Sequence, residues 1–432
     1  MIDAVPSIPL FTWRGRVSRM VGLTLESNGP RARLGELCRV HRSGNGPLLA
    51  EVTGFRDGRT LLTPLGDPAG VSPGNLVDAT ETVLGVFVGP GLLGRVLDGL
   101  GQPIDGEGPL NTVAWRPIEA PAPAAMERPP IDQPLATGVR AIDGALTCGA
   151  GQRMGIFAGS GVGKSTLLGM MARYTGAEVN VIGLIGERGR EVREFLERDL
   201  GEEGRRRSVV VAATSDQPAL IRIKAAMVAT AIAEYFRDLG KHVLLVMDSL
   251  TRFAMAQREV GLANGEPPTS RGYTPSVFAM LPRLLERAGH SATGSITGFY
   301  TVLVEGDDVN EPVADSLRAI LDGHVVLSRD LAARGHYPPI DVLPSISRLM
   351  PEVVDPKMLA NAGRLRKVLA TYRDAEDLIN IGAYVPGQSP DIDHACRHIQ
   401  QVRSFLQQGR DEPATFATTV AALNDMFAEE VA

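Results

Sequence analysis

The residues with the clearest chemistry are Ala158-Gly159-Ser160-Gly161-Val162-Gly163-Lys164-Ser165, followed by Thr166. They come after the apolar Met154-Gly155-Ile156-Phe157 and before the helix-like run Thr166-Leu167-Leu168-Gly169-Met170-Met171. Strand, glycine loop and helix in that order make an anion cradle. Glycines let backbone N–H groups close around phosphate oxygens, and the helix N-terminus adds partial positive charge. Residues Gly159 to Thr166 would hold a nucleoside triphosphate, with Lys164 reaching the β- and γ-phosphates and the Ser165 hydroxyl ligating Mg²⁺. The strict motif begins with Gly; Ala158 stands there, one methyl larger.

Such a loop needs a second acidic group for the metal shell. The apolar run Val243-Leu244-Leu245-Val246-Met247 ends in Asp248. A carboxylate at the C-terminal end of a buried strand stands where α/β sheets gather their ligands. Hydrolysis also needs a group that orients or deprotonates water. Glu187, in Gly186-Glu187-Arg188-Gly189-Arg190-Glu191 just after the strand-like Val179 to Ile185, is the candidate. Taken alone, each acid has a plainer reading, as a helix cap or part of a solvated charge run; the phosphate loop upstream favours the catalytic one.

The elements that must position these groups can be read from pattern. Between about Trp13 and Val88, short apolar runs (15–17, 48–52, 60–62) alternate with turn signals Asp57-Gly58 and Ser72-Pro73-Gly74. Close-spaced short strands predict a small β-barrel, with a sandwich as the alternative. The proline-dense stretch from Arg116 to Pro130 excludes helix and central strand and predicts an extended surface connection. From Thr137 to about Arg348, apolar strand-like runs (179–185, 208–213, 243–247, 296–304) alternate with helical segments such as Ala219 to Leu239. This predicts a mainly parallel α/β sheet. Beyond Asp355, Leu365, Val368, Leu369, Tyr372 and Ile379 recur at helical spacing, and a break at Tyr384-Val385-Pro386-Gly387 precedes a second helix from about Ile392 to Gln408. The expected fold class is α/β: a small N-terminal β-barrel with a short extension (1–90), a RecA-like P-loop domain including the Pro-rich connection (91–350), and a helical C-terminal domain (351–432).

Composition sets outer limits. The chain has 432 residues, 44% hydrophobic and 22% charged, with net charge −6, which is enough for two or three cores and excludes general disorder. The mild acidity gives no broad electrostatic case for nucleic acid. Cys38, Cys148 and Cys396 form no pair by spacing and read as reduced structural thiols of a cytosolic protein. Met1 to Leu10 lacks the features of a signal peptide, and no apolar stretch has the length of a membrane span.

These motifs together resemble the catalytic subunits of the rotary ATPase superfamily, and within it the flagellar and injectisome type III export ATPases. The resemblance runs from about Gly15 to Gln408. It is carried by Thr137-Gly138-Val139-Arg140-Ala141-Ile142-Asp143, the phosphate loop, Gly186 to Glu191, Asp248 to Ala254, Gly272-Tyr273-Thr274-Pro275-Ser276, Glu305-Gly306-Asp307-Asp308, His336-Tyr337-Pro338 and Ser345-Ile346-Ser347-Arg348. It implies that Glu187 is the catalytic carboxylate, with Arg188 and Arg252 near the γ-phosphate. Glu191 would belong to the outer magnesium shell, Tyr337 would stack on adenine, and Arg348 would be an arginine finger entering the neighbouring subunit's site. It implies ATP and Mg²⁺ as ligands, a homohexameric ring, and export that releases chaperones and unfolds substrates, with the flagellar branch favoured by Asp248 to Glu259. The partners implied are a stalk regulator, a central stalk protein and export chaperone–substrate complexes. The place implied is the cytoplasmic face of the inner-membrane export gate, reached through partners.

One chain carries both Glu187 and Arg348, so a ring of identical subunits could be competent at every interface. The alternatives are a proton-coupled ATP synthase catalytic subunit, which needs an alternating partner, and a ring translocase of nucleic acid. The latter would need a basic, aromatic-bearing barrel. Here the barrel has few aromatics (Phe11, Trp13, Phe55, Phe87) but does carry Arg14, Arg16, Arg19, Arg31, Arg33, Arg39 and Arg42.

Overall fold

The structure, a computed structural model, describes residues 13–44, 46–304 and 311–428. Six strands, Arg14–Val21, Thr24–Asn28, Glu36–Val40, Leu48–Arg56, Arg59–Pro64 and Leu76–Val83, close into a barrel rather than splitting into a sandwich. Val17, Leu25, Cys38, Val40, Ala50, Val52, Leu62 and Val77 fill its interior. The tight turn between Leu48–Arg56 and Arg59–Pro64 uses Asp57 and Gly58, both at positive φ, as a two-residue hairpin of right-handed twist requires.

Several barrel arginines pair with other groups of the barrel while staying on its surface. Arg14 pairs with Asp78 at 3.0 Å, Arg19 with Glu26 at 2.8 Å, Arg16 donates to the Gly74 carbonyl at 2.8 Å, and Arg31 lies over the Trp13 ring. Phe11 lies outside the described residues.

The central sheet runs in the order Ile340–Ser347, Gly323–Leu327, Arg153–Ala158, Ser295–Leu303, His242–Asp248, Val179–Ile185, Ser208–Ala213, Val96–Asp98. Its strands are parallel except Ile340–Ser347 and the short Gly289–His290, which are antiparallel to their neighbours. Both faces are covered, which is why the strands are continuously apolar. Along His242–Asp248 the side chains alternate: Val243, Leu245 and Met247 face one core, Leu244 and Val246 the other. The first core is roofed by the helix Ala219–Asp238. The second contains Leu167, Leu168 and Met171 of the helix Lys164–Tyr174 and continues into Leu365, Ile399, Val402 and Phe405 of the C-terminal helices. The nucleotide-loop helix and the C-terminal domain therefore share one core.

The extended connection gains one pairing the prolines did not suggest. Ala114–Pro117 forms an antiparallel ribbon with Gly85–Val88, outside the main sheet, where no second partner is needed. Val96–Asp98, within a glycine-rich stretch, adds the far edge of the central sheet. The C-terminal helices are Pro356–Asn380, Pro390–Leu406 and a third, Phe416–Met426, that periodicity had not singled out. Cys38 and Cys148 are buried and Cys396 is half-buried; all are free, and burial pushes the Cys38 thiol up to about 12. No helix among the described residues is long and apolar enough to cross a membrane.

Candidate nucleotide site

The glycine loop leaves the C-terminal end of the strand Arg153–Ala158 and enters the helix Lys164–Tyr174 directly. Gly161 and Gly163 hold φ of 78° and 96°, a left-handed path that side-chain-bearing residues resist. Gly163 is the N-cap and makes no side-chain cap bond. The first-turn N–H groups are thus left for an external acceptor, and Ser160 and Ser165 are exposed beside them.

Three charged groups converge at this end of the sheet. The Lys164 ammonium, on the first residue of the helix, contacts Asp248 Oδ1 and lies 3.4 Å from Glu187 Oε1. Asp248 and Glu187 come from neighbouring strand ends. Asp248 is 3% exposed and is held by the Thr301 hydroxyl, which donates to its Oδ1 at 2.7 Å from the adjoining strand. Burial pulls the Lys164 ammonium's pKa down, but Asp248 and Glu187 outweigh it and the net shift is upward. Burial pushes Glu187 up to about 7; Lys164 opposes this, while Asp248 and a hydrogen bond with Glu191 reinforce it. The same bond, assisted by Arg188, holds Glu191 below the usual carboxylate range. The two neighbouring carboxyls are thus shifted in opposite directions beside the Lys164 cation. A carboxyl near neutrality is suited to general-base work.

The basic residues distribute unevenly. Arg252 packs its Cβ against Gly186, where a side chain would meet it at 2.9 Å, and its Nε is buried without an acceptor among the described residues. Arg188 is exposed and donates to Glu191 Oε1 at 3.3 Å. Tyr337 is 51% exposed, with its ring edge 3.8 Å from where a Cβ on Gly163 would stand, so an aromatic face borders the loop. Glu305 to Asp308 lie outside the described residues.

Arg348 is not with the others. Its N–H donates to the Asp322 carbonyl at 3.0 Å, and Asp322 also accepts from the N–H of Arg153, the first residue of the strand that ends at Ala158. The length of that strand, about 17 Å, separates Arg348 from the phosphate loop of its own chain. It is exposed at the opposite end of the strands, with Nη2 donating to the Arg318 carbonyl at 3.1 Å.

Other groups at the site had no signature in the sequence. Thr301 sits inside an apolar run. Arg329 places Nη2 2.9 Å from where a Cβ on Gly159 would stand. Neither could be found without knowing which strands are neighbours. For magnesium, the Ser165 hydroxyl and the Asp248 carboxylate are hard oxygen donors at the loop, with Glu191 further out. Few protein oxygens suit an ion that keeps waters and binds substrate phosphates.

Known proteins resemble the chain over nearly its whole length. Residues 138–347 match the nucleotide-binding domain of the ATP synthase alpha/beta family, and residues 354–425 match the T3SS EscN ATPase C-terminal domain. The chain is 54% identical to the flagellum-specific ATP synthase of Bacillus subtilis, over 100% of this chain and 99% of that one. It is also 54% identical to a type 3 secretion system ATPase of Xanthomonas euvesicatoria, over 95% and 93%. The assembled ATPase EscN from enteropathogenic E. coli superposes with a TM-score of 0.90 at 46% identity, covering 95% of this chain and 99% of that one. EscN in complex with its central stalk EscO superposes at 0.89 with 44% identity, over 95% and 99%. The chain belongs to the family of flagellar and type III secretion export ATPases and is an ATP hydrolase of protein export.

Proposed function

We propose that the chain works as a homohexameric ring whose sites lie between subunits and whose turnover drives flagellar protein export. The observation that carries the ring is the separation of Arg348 from its own phosphate loop. An exposed arginine at one end of the strands and a triphosphate cradle at the other complete each other across an interface between subunits. Proteins of this kind have been solved assembled, as EscN.

On this reading the Gly159–Thr166 amides and Lys164 grip the triphosphate. Lys164 leaves Asp248 for phosphate oxygens, which frees that carboxylate for the metal. Bound magnesium would neutralise phosphate charge and would be held by Ser165 and Asp248, with Glu191 behind. Glu187, relieved of its neighbour's repulsion, orients and deprotonates water. Arg252 supplies its unpartnered donor near the γ-phosphate, Arg188 turns inward from the surface, and Tyr337 stacks on adenine. Arg348 of the adjacent subunit finishes the charge on the transferring group, a contribution of about 10³–10⁵ in rate for such arginines.

The flagellar assignment is supported by the full-length match to the Bacillus protein. The cytoplasmic face of the inner-membrane export gate is the place of action, reached through a stalk regulator. A central stalk protein would enter the ring as EscO meets EscN. Chaperone–substrate complexes would be released and unfolded at the helical C-terminal domain. Affinity capture from cells tests this: flagellar rather than injectisome components should accompany the chain. The ring itself is tested by mixing two variants, Glu187→Gln and Arg348→Ala, each inactive alone. Mixed rings contain interfaces with intact Glu187 on one side and intact Arg348 on the other, so activity should return. A mixture as inactive as its parts would sink the shared-site reading.

A further inference from the structure

The segment following the helix Pro390–Leu406 crosses back onto the nucleotide domain, and Gln408 is its fixed point. Gln408 is 5% exposed. Its Nε2 donates to the Gly138 carbonyl at 2.8 Å and to the Glu412 carbonyl at 2.7 Å, and its Oε1 accepts from the Arg140 N–H at 2.8 Å. Three of the four hydrogen-bonding positions of the side-chain amide, including both N–H donors, are therefore used. Its own backbone N–H donates to the Tyr337 carbonyl at 2.9 Å. Further along, Arg173 of the nucleotide-loop helix pairs with Asp411 Oδ1 at 2.8 Å and donates to the Arg410 carbonyl at 2.6 Å.

We propose that Gln408 is a positioning residue for the nucleotide base: it locks the 407–412 strap so that its N–H fixes the backbone of Tyr337. This rests on the reading of Tyr337 as the base-stacking group. The physical argument is preorganisation. Tyr337 is half-exposed, and its ring borders Gly163 with no side-chain hydrogen bond among the described residues to hold it there. An aromatic platform held at its carbonyl loses less freedom when a base lands on it. Only a neutral amide fits at 408. A carboxylate would face two carbonyl oxygens, and a shorter side chain would not span to Gly138 and Arg140 together. The strap also ends on the helix that begins with Lys164, so the C-terminal domain touches both the base side and the helix that presents the phosphate loop.

The test uses the full chain with ATP and, as a ligand without a base, inorganic tripolyphosphate. Gln408→Ala is expected to raise KM for ATP about fivefold, leave kcat nearly unchanged, and leave inhibition by tripolyphosphate unchanged. Gln408→Glu should do the same or worse. Tyr337→Ala should weaken ATP binding, and adding Gln408→Ala to it should cost little more. Should Gln408→Ala destabilise the fold, Asp411→Ala loosens the strap from its exposed end and is expected to raise KM about twofold. If Tyr337→Ala leaves ATP binding intact, the base-stacking reading falls and the proposal with it. If Tyr337→Ala weakens ATP while Gln408→Ala and Asp411→Ala do not, or if Gln408→Ala adds its full effect to Tyr337→Ala, or weakens tripolyphosphate equally, the positioning role is overturned and the reading of Tyr337 stands.

Discussion

The Lys164 ammonium stands 3.4 Å from the Glu187 carboxylate while in contact with Asp248, so one cation serves two acids. Burial, reinforced by Asp248 and Glu191 and only partly opposed by Lys164, holds the Glu187 carboxyl near neutrality. Because kcat/KM reports the free enzyme, it should rise with pH through a midpoint of about 7. Glu187→Gln should bind ATP and lose about 10²–10⁴ in turnover. The sign for stability is opposite. Folded Glu187 keeps a proton that the unfolded chain, with a carboxyl near 4.5, has released. The nucleotide-free wild type should therefore lose stability relative to Glu187→Gln as pH rises from about 4.5 to about 7. Melting curves of both proteins across that range check it; a constant difference would contradict the raised carboxyl.

Lys164→Ala removes the one cation that, among the described residues, pairs with both acids. ATP affinity should fall at least about a hundredfold, measured by titration with a fluorescent ATP analogue. The remaining carboxylates repel when both are ionised, so the apo variant should melt lower at pH 8 than at pH 6 by more than the wild type does.

Arg348→Ala should bind ATP and assemble normally, since among the described residues its exposed side chain bonds only the Arg318 carbonyl of its own chain. Turnover should drop about a thousandfold. For the wild type, specific activity should climb with protein concentration as rings form. Equal specific activity at nanomolar and micromolar protein would argue for a site complete within one subunit.

Away from the nucleotide, Arg287 and Glu234 form a bidentate pair at 2.8 and 2.7 Å, with side chains 4% and 3% exposed. Glu234→Ala leaves a buried guanidinium whose remaining acceptor among the described residues is the Ile118 carbonyl at 2.7 Å. It should destabilise by about 3–5 kcal/mol, whereas replacing both residues with methionine should cost much less. Denaturant unfolding of the single and double variants decides between them.

The legible parts of this protein are local ones. Gly159 to Ser165 announce a phosphate cradle because the conformation required, left-handed at Gly161 and Gly163, is written in the residue types themselves. Asp248 and Glu187 could be placed at strand ends because an apolar run that stops at a carboxylate marks the edge of a buried sheet. The strand runs 179–185 and 208–213 coincide with Val179–Ile185 and Ser208–Ala213. Less legible were Val96–Asp98 and Ala114–Pro117, edge or ribbon strands whose pairing depends on a neighbour rather than on their own pattern.

What the chain's order of residues determined alone was the inventory: a triphosphate loop, two acids for it, a barrel before and helices after. Tertiary structure decided distances. Only strand order shows that Thr301 holds Asp248, that one lysine is shared by two acids, and that Gln408 lies against Tyr337 and Gly138. Only sheet direction places Arg348 a full strand length from its own phosphate loop. Hydrogen bonds and charges act over a few ångströms of space, whereas these partners lie tens to hundreds of residues apart along the chain, and nothing short of the folded sheet brings that separation to contact.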